Sequence, residues 1–309
     1  MSMHRRPSVV LALLVLLNLH QAGMAADDGP AASPGATPQR VTFTESSPLT
    51  GLEEYCRRTR QSAAAYKREG NEHEYILANE SFQLLVPPSC SVDNPHGLFV
   101  WISPGGSNLP REWLEVLERH KLIWICPNNA GNPRHFLVRL GLALDAVHNT
   151  KSSSPIDPKR IYISGFSGGG RVASIAALTY PDVFTGAIPM MGCNFYRPLP
   201  AGENKFFQAG AARPIDSIFA QAKRRPIVLL TGERDGNQPQ TKANYEAFKK
   251  DRFAHVTYIE VPQIGHNMPD PQWLEKAVVD LDGAVDAANA STRPTSRPTS
   301  RGSRAPITK

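Results

Sequence analysis

The chain has 309 residues, of which 41% are hydrophobic and 20% charged, enough for one large α/β domain or two small ones. Its formal charge of +6 is misleading, because Arg5 and Arg6 at one end and Arg293, Arg297, Arg301, Arg304 and Lys309 at the other account for the whole excess. The body between, Asp27 to Ala290, is close to neutral, which leaves no electrostatic footprint for nucleic acid.

Met1 to Arg6 is basic, and Val9 to Leu17 is apolar throughout. That run is shorter than the ~20 residues a membrane span needs. Gly23-Met24-Ala25 supplies the small residues a signal peptidase reads, so residues 1–25 are expected to be a signal peptide, cleaved after Ala25 or Ala26. No cysteine follows the run as a lipoprotein would require. The chain is therefore expected to be secreted or periplasmic, with no transmembrane segment. Asp27 to Pro48 is rich in Pro, Ala, Gly, Ser and Thr, and the composition predicts a flexible linker over residues 26–48.

A domain is expected over residues 49–290. Thr50 stands three residues before Glu53, a capping-box spacing, and Leu52, Tyr55, Cys56, Thr59, Ala63 and Tyr66 follow at helical intervals, predicting a helix from Gly51 to Glu69. Tyr75–Ala78 and Phe82–Val86 read as a hairpin around Asn79-Glu80. Leu98–Ile102, Leu122–Ile125, Ile161–Ser164, Thr185–Met190, Ile227–Leu230 and Val256–Val261 are short apolar runs of strand type. Helical patterns fall between most of them, over Glu112–Arg119, Phe136–His148, Val172–Leu178, Ile215–Lys223, Ala243–Lys250 and finally Gln272–Leu281. Strands apolar on both faces, alternating with helices, imply an α/β fold with a mostly parallel central sheet covered on both sides. Right-handed crossovers then place the strand-to-helix loops on one edge, where the site must lie. Beyond these elements Arg293-Pro294-Thr295-Ser296 repeats as Arg297-Pro298-Thr299-Ser300, predicting a disordered tail over residues 291–309.

Four cysteines follow the signal peptide: Cys56, Cys90, Cys126 and Cys193. In an oxidising compartment they could pair. Cys126 and Cys193 each close an apolar run, so buried free thiols are the alternative. No C-x-x-C or H-x-x-x-H spacing occurs, which speaks against zinc, and no metal or cofactor is expected.

Gly165-Phe166-Ser167-Gly168-Gly169 sits between the strand-like Arg160–Ser164 and the helix-like Arg171–Tyr180. A serine between glycines at a strand-to-helix turn has the form of a nucleophile elbow. The turn is so tight that glycine is needed two residues before and two after the serine. A serine hydroxyl needs a base to take its proton and an acid to orient that base. Asp235 and His266 each follow a predicted strand, in the chain order serine, acid, histidine. Glu233, on the same loop, is close enough to substitute for Asp235. The attacked carbonyl would need backbone N–H donors. Gly168 directly after the serine is one candidate, and Gly106 in Ser103-Pro104-Gly105-Gly106-Ser107 is the other. Asn128 and Asn129, on the loop after Leu122–Ile125, and Asn194 and Tyr196, after Thr185–Met190, are the candidate substrate contacts. Trp101 reads as core; Trp113 could serve as an aromatic platform.

The stretch Asp157 to Gly169 resembles the elbow of the polyhydroxybutyrate-depolymerase and feruloyl-esterase-like branch of the α/β-hydrolases. Thr231-Gly232-Glu233-Arg234-Asp235 and Gly265-His266 are similar to its acid and histidine loops, and the likeness covers roughly Ile76 to Leu281. It implies a secreted serine esterase using Ser167, Asp235 and His266 without a cofactor. Many relatives carry His-Gly in the oxyanion loop where this chain has Pro104-Gly105. The leading expectation is a carboxylesterase acting on an extracellular ester such as an acylated polysaccharide or a short polyester. The alternatives are a prolyl-oligopeptidase-type peptidase and a binding protein that keeps the fold without turnover.

Overall fold

Strands apolar on both faces need cover on both sides, and from β3 onward helices follow most of the strands. The computed structural model describes residues 37–68, 70, 73–107 and 109–291; the expected signal peptide, the first part of the expected linker and residues 292–309 of the expected tail lie outside them. In chain order the elements are β1 (Gln39–Val41), α1 (Leu52–Thr59), α2 (Ala63–Arg68), β2 (Phe82–Leu85), β3 (His96–Ile102), α3 (Arg111–Arg119), β4 (Leu122–Pro127), α4 (Phe136–Ser153), β5 (Ile156–Phe166) and α5 (Gly168–Thr179). There follow β6 (Gly186–Met190), β7 (Leu199–Pro200), β8 (Phe206–Phe207), α6 (Asp216–Ala222), β9 (Ile227–Gly232), α7 (Gln238–Lys250), β10 (Val256–Val261) and α8 (Pro271–Ser291).

Eight strands form one sheet in the order β1-β2-β4-β3-β5-β6-β9-β10, and β7 and β8 form a separate small hairpin. Within the large sheet β2 runs antiparallel to β1 and β4, and every other pairing is parallel. Successive strand residues face opposite ways. Leu98, Val100, Ile123, Ile163 and Leu229 pack with Leu52 of α1, Leu140 of α4, Ile175 of α5, Phe219 of α6 and Phe248 of α7. Their neighbours Phe99, Trp101, Trp124, Tyr162 and Val228 pack with Trp113 and Leu117 of α3 and Leu274, Val278 and Leu281 of α8. Two cores thus sandwich the sheet, as the pattern requires. Trp113 is 2% exposed and its indole N–H donates to Pro269 O at 3.1 Å, so it is core and not a platform. Among the described residues no helix is long and apolar enough to cross a membrane.

Five expectations need correction. The expected hairpin does not form: Leu77–Asn79 is a single 3-10 turn, and Phe82–Leu85 pairs with Gln39–Val41 and Trp124–Pro127 instead. The expected linker over residues 26–48 therefore contains an edge strand, Gln39–Val41. The expected first helix is two, because Arg60 turns left-handed at φ 54° and its N–H closes on Cys56 O. Thr50 does not cap α1, since its hydroxyl donates to Asp145 Oδ1 at 2.9 Å. All four cysteines are free, so the disulfide alternative is not realised; burial raises the Cys126 and Cys193 thiols.

Asp145 explains why residues 39–50 lie on the domain. It is fully buried within α4 and accepts from Ser47 N at 2.7 Å, Thr50 Oγ1 at 2.9 Å and Tyr75 Oη at 2.5 Å. Burial raises its carboxyl against the lowering effect of those bonds. Gly141 makes the approach possible, because a Cβ there would stand 2.7 Å from Tyr75 Oη. Hydrogen bonds to a charged group contribute about 1.5–3 kcal/mol each and do not add fully. Asp145→Ala is expected to lower stability by about 3 kcal/mol in urea titration. It should also expose residues 37–50 to limited proteolysis; equal protection of mutant and parent would contradict this.

Candidate active site

The site is built at the carboxyl ends of the parallel strands, where β5, β9 and β10 each hand over to a loop. Ser167 sits between the last residue of β5 and the first of α5, at φ 55° and ψ −117°. This is a backbone region that L-residues rarely adopt. Close packing forces it: a Cβ on Gly165 would stand 2.5 Å from Ile102 O, and one on Gly169 only 1.8 Å from the same oxygen. The strained turn is held by Ser167 N donating to Met190 O at 2.8 Å and by Arg171 N donating to Ser167 O at 3.1 Å.

Ser167 Oγ lies 2.9 Å from His266 Nε2, and His266 Nδ1 lies 2.9 Å from Asp235 Oδ1. The Asp235 side chain is 1% exposed and that of His266 41%. Asp235 Oδ1 also accepts Asn237 N at 2.9 Å, while Oδ2 is buried without a hydrogen-bond partner among the described residues. The imidazole leans on the Phe166 ring, centroids 5.0 Å apart. Glu233, the competing carboxylate, turns elsewhere: it is exposed, and its Oε2 accepts Gln263 N at 2.7 Å. With Nδ1–H donating to the buried carboxylate, Nε2 is left free to accept the serine proton.

Two loops close on this line. Gly168 opens α5, so its N–H has no acceptor inside the helix. Gly106, in the loop after β3, has φ +53°. That loop is fixed by Asn132 N donating to Pro104 O at 2.8 Å and by the Ser107 hydroxyl donating to Asn128 Oδ1. The Asn132 amide lies over Gly168, with Oδ1 2.0 Å from where a Cβ would stand.

The expected substrate contacts are mostly committed to the protein itself. The Asn128 amide donates to Ser81 Oγ at 2.8 Å and accepts from Ser107, making it a brace under the loop. Asn194 accepts Arg171 Nη1 at 3.1 Å and donates to Gly210 O at 3.0 Å. The Tyr196 hydroxyl goes to Asp251, and its ring packs on Phe195 and Phe219. Asn129 is exposed. Sequence reasoning passed over Arg139, Arg171 and Asn237, and took the loop that ends at Asn132 only as a place where amides could meet substrate. Asn237 is the most consequential of them: besides its N–H to Asp235, it donates to Met191 O at 2.8 Å and accepts Arg171 Nη2 at 3.2 Å. Among the described residues no group of three or more His, Cys, Asp or Glu could hold a metal ion.

This sheet, with a strained serine after its fifth strand, defines an α/β-hydrolase fold. No family model matches the chain. A stretch of 133 residues, 43% of the chain, is 31% identical to poly(3-hydroxyalkanoate) depolymerase C of Paucimonas lemoignei. An alignment over 89 residues, covering 24% of the chain, is 28% identical to the poly(3-hydroxybutyrate) depolymerase of Ralstonia pickettii. The chain spans 25% and 18% of the lengths of these two relatives. In fold it is similar to the S-formylglutathione hydrolase of Staphylococcus aureus, with a TM-score of 0.50 at 14% identity over 82% of this chain and 99% of that one.

The elbow geometry sets an expectation for its glycines. Gly169→Ala is expected to cost about 3 kcal/mol or more, since backbone oxygen cannot retreat from the new methyl. Gly168→Ala should cost less, because only side-chain ends, those of Asn132 and Arg139, oppose it. Thermal unfolding of the two variants checks the order, and equal losses would refute it.

Proposed function

We propose that the chain is a secreted serine carboxylesterase that cleaves an extracellular ester, a short polyester or an acylated polysaccharide, through an acyl-enzyme on Ser167. The observation that carries this reading is the unbroken hydrogen-bonded line Ser167–His266–Asp235 at the strained elbow. The names of the two curated relatives support the polyester member of the pair.

In this reading His266 Nε2 takes the Ser167 proton as Oγ attacks the ester carbonyl, and the tetrahedral oxyanion meets the N–H groups of Gly168 and Gly106. His266 then returns the proton to the leaving alcohol. Water, activated by the same imidazole, hydrolyses the acyl-enzyme and restores the serine. Asp235 holds the tautomer that makes Nε2 the acceptor and stabilises the imidazolium once formed.

A fluorophosphonate probe is expected to label the wild type at Ser167 and not Ser167→Ala, with hydrolysis of a p-nitrophenyl ester lost over several orders of magnitude. Asp235→Asn should lower kcat about 10⁴-fold, while Glu233→Gln should cost less than about tenfold, since its carboxylate only ties Gln263 N and stands outside the line. An unlabelled wild type would leave the fold as a binding scaffold, and the reverse order of the two acids would move the triad acid to Glu233. Export is part of the proposal: mass spectrometry of protein recovered outside the cytoplasmic membrane should find a start at Ala26 or Asp27, and an intact Met1 would refute it.

A further inference from the structure

A charged side chain that the proposed chemistry leaves unused lies directly beneath the site. Arg139, on the first turn of α4, is 5% exposed. Its Nε donates to Ala130 O at 2.7 Å and its Nη2 to Ser103 O at 3.3 Å. Ser103 opens the loop that carries Gly106, and Ala130 belongs to the loop that carries Asn132, so one guanidinium ties both loops together. Its Nη1 stands 3.3 Å from the point a Gly168 Cβ would occupy.

Among the described residues the charge meets no carboxylate. Arg58, the other buried arginine among the described residues, is met by carboxylates of Glu54 and Asp182 at 2.7 Å each. Arg139 has only carbonyls, and desolvation alone lowers it to about 10, so it remains a cation at neutral pH. Burying an unpaired ion costs several kcal/mol, and a neutral donor could have braced the same two carbonyls without that cost. The proposed reaction supplies a fitting anion. A negative charge appears beside the Gly168 N–H when the ester carbonyl becomes tetrahedral, and is absent before and after.

We propose that Arg139 is a positioning residue of the oxyanion hole: it fixes the two loops around Gly168 and Gly106 and holds an uncompensated positive charge there that is matched only in the tetrahedral state. The inference rests on the serine-esterase reading. Because a substrate ester is neutral, the arginine acts on kcat and leaves KM nearly unchanged.

Kinetics with p-nitrophenyl butyrate, together with inhibition by phenylboronic acid, which adds to a serine as a tetrahedral anion, test this. Arg139→Met is expected to lower kcat about 10²-fold with KM within about threefold, and boronate affinity should fall along with kcat/KM. Arg139→Lys, which keeps the charge, should lose less than about tenfold. If the Met variant does not fold, Arg139→Gln retains a donor for one loop carbonyl and gives the same comparison. A folded neutral variant with kcat within threefold of the parent would overturn the proposal. So would Lys and neutral variants equally impaired, or boronate affinity that does not follow kcat/KM, since a simple loop brace would behave in those ways. A wild type that neither turns over nor takes the fluorophosphonate removes the esterase reading and this inference together; an active wild type with an equally active neutral variant removes this inference alone.

Discussion

The edge that carries Ser167 depends on one close approach, that of the first turn of α5 to the end of β3. Gly169 and Gly165 both bear on the carbonyl of Ile102, at distances no Cβ could tolerate. The same crowding continues behind the turn, where a Cβ on Gly192 would stand 2.5 Å from Ser167 O. A chain squeezed this way has no room to relax Ser167 into ordinary helical or extended backbone. Its conformation costs about 1–3 kcal/mol, offset by the hydrogen bonds at its N–H and C=O and by the cores on either face of the sheet. The result is a hydroxyl raised out of the strand and a helix N-terminus directly beneath it.

From that fixed point the site becomes progressively looser. Asp235 is buried, held by the Asn237 N–H on one oxygen and by its own N–H to Gly232 O at 3.1 Å. Asn237 passes the constraint on to Met191 O and to Arg171, which also reaches Asn194 and Gln240. Loops after β6 and β9 are thereby fastened to α5. His266, by contrast, is more than a third exposed and touches the described site through Asp235, Ser167 and the Phe166 ring. A fixed acid with a less confined imidazole suits the role proposed for His266, a base that would serve first the serine and then the departing alcohol.

The sheet could be read from the chain because both residues of each alternating pair in its central strands are apolar, a pattern that only a doubly covered sheet satisfies. Ser167, Asp235 and His266 could be placed together because β5, β9 and β10 run parallel and deliver the loops after them to one edge of the sheet. Three elements resisted. The edge strand Gln39–Val41 is too short and too polar to announce itself, and it exists because β2 supplies its partners, while Asp145 holds the chain that follows it through Ser47 and Thr50. The Tyr75–Val86 stretch has hairpin chemistry locally but finds better hydrogen-bonding partners in β1 and β4. Asn128, Asn194 and Tyr196 lie on loops at the right edge, yet sequence carries no record of Ser81, Gly210 or Asp251, which engage their polar atoms.

A signal for the missed residues was present in α4. From Leu137 to Val147 every residue is buried, so this stretch has no solvent face to which a charge could retire. Arg139 and Asp145 are the only ionisable residues in it, and each must be doing something that outweighs desolvation. Asp145 gathers three donors from residues 47–75, binding the edge of the fold to its centre. Arg139 gathers the two loops that flank the serine. This buried stretch of α4 therefore carries both ends of the architecture, Asp145 securing the chain's entry into the domain and Arg139 securing the floor of the site. A buried charge in an apolar helix marks a place where the backbone of some other segment is being held, and in α4 both charges do so.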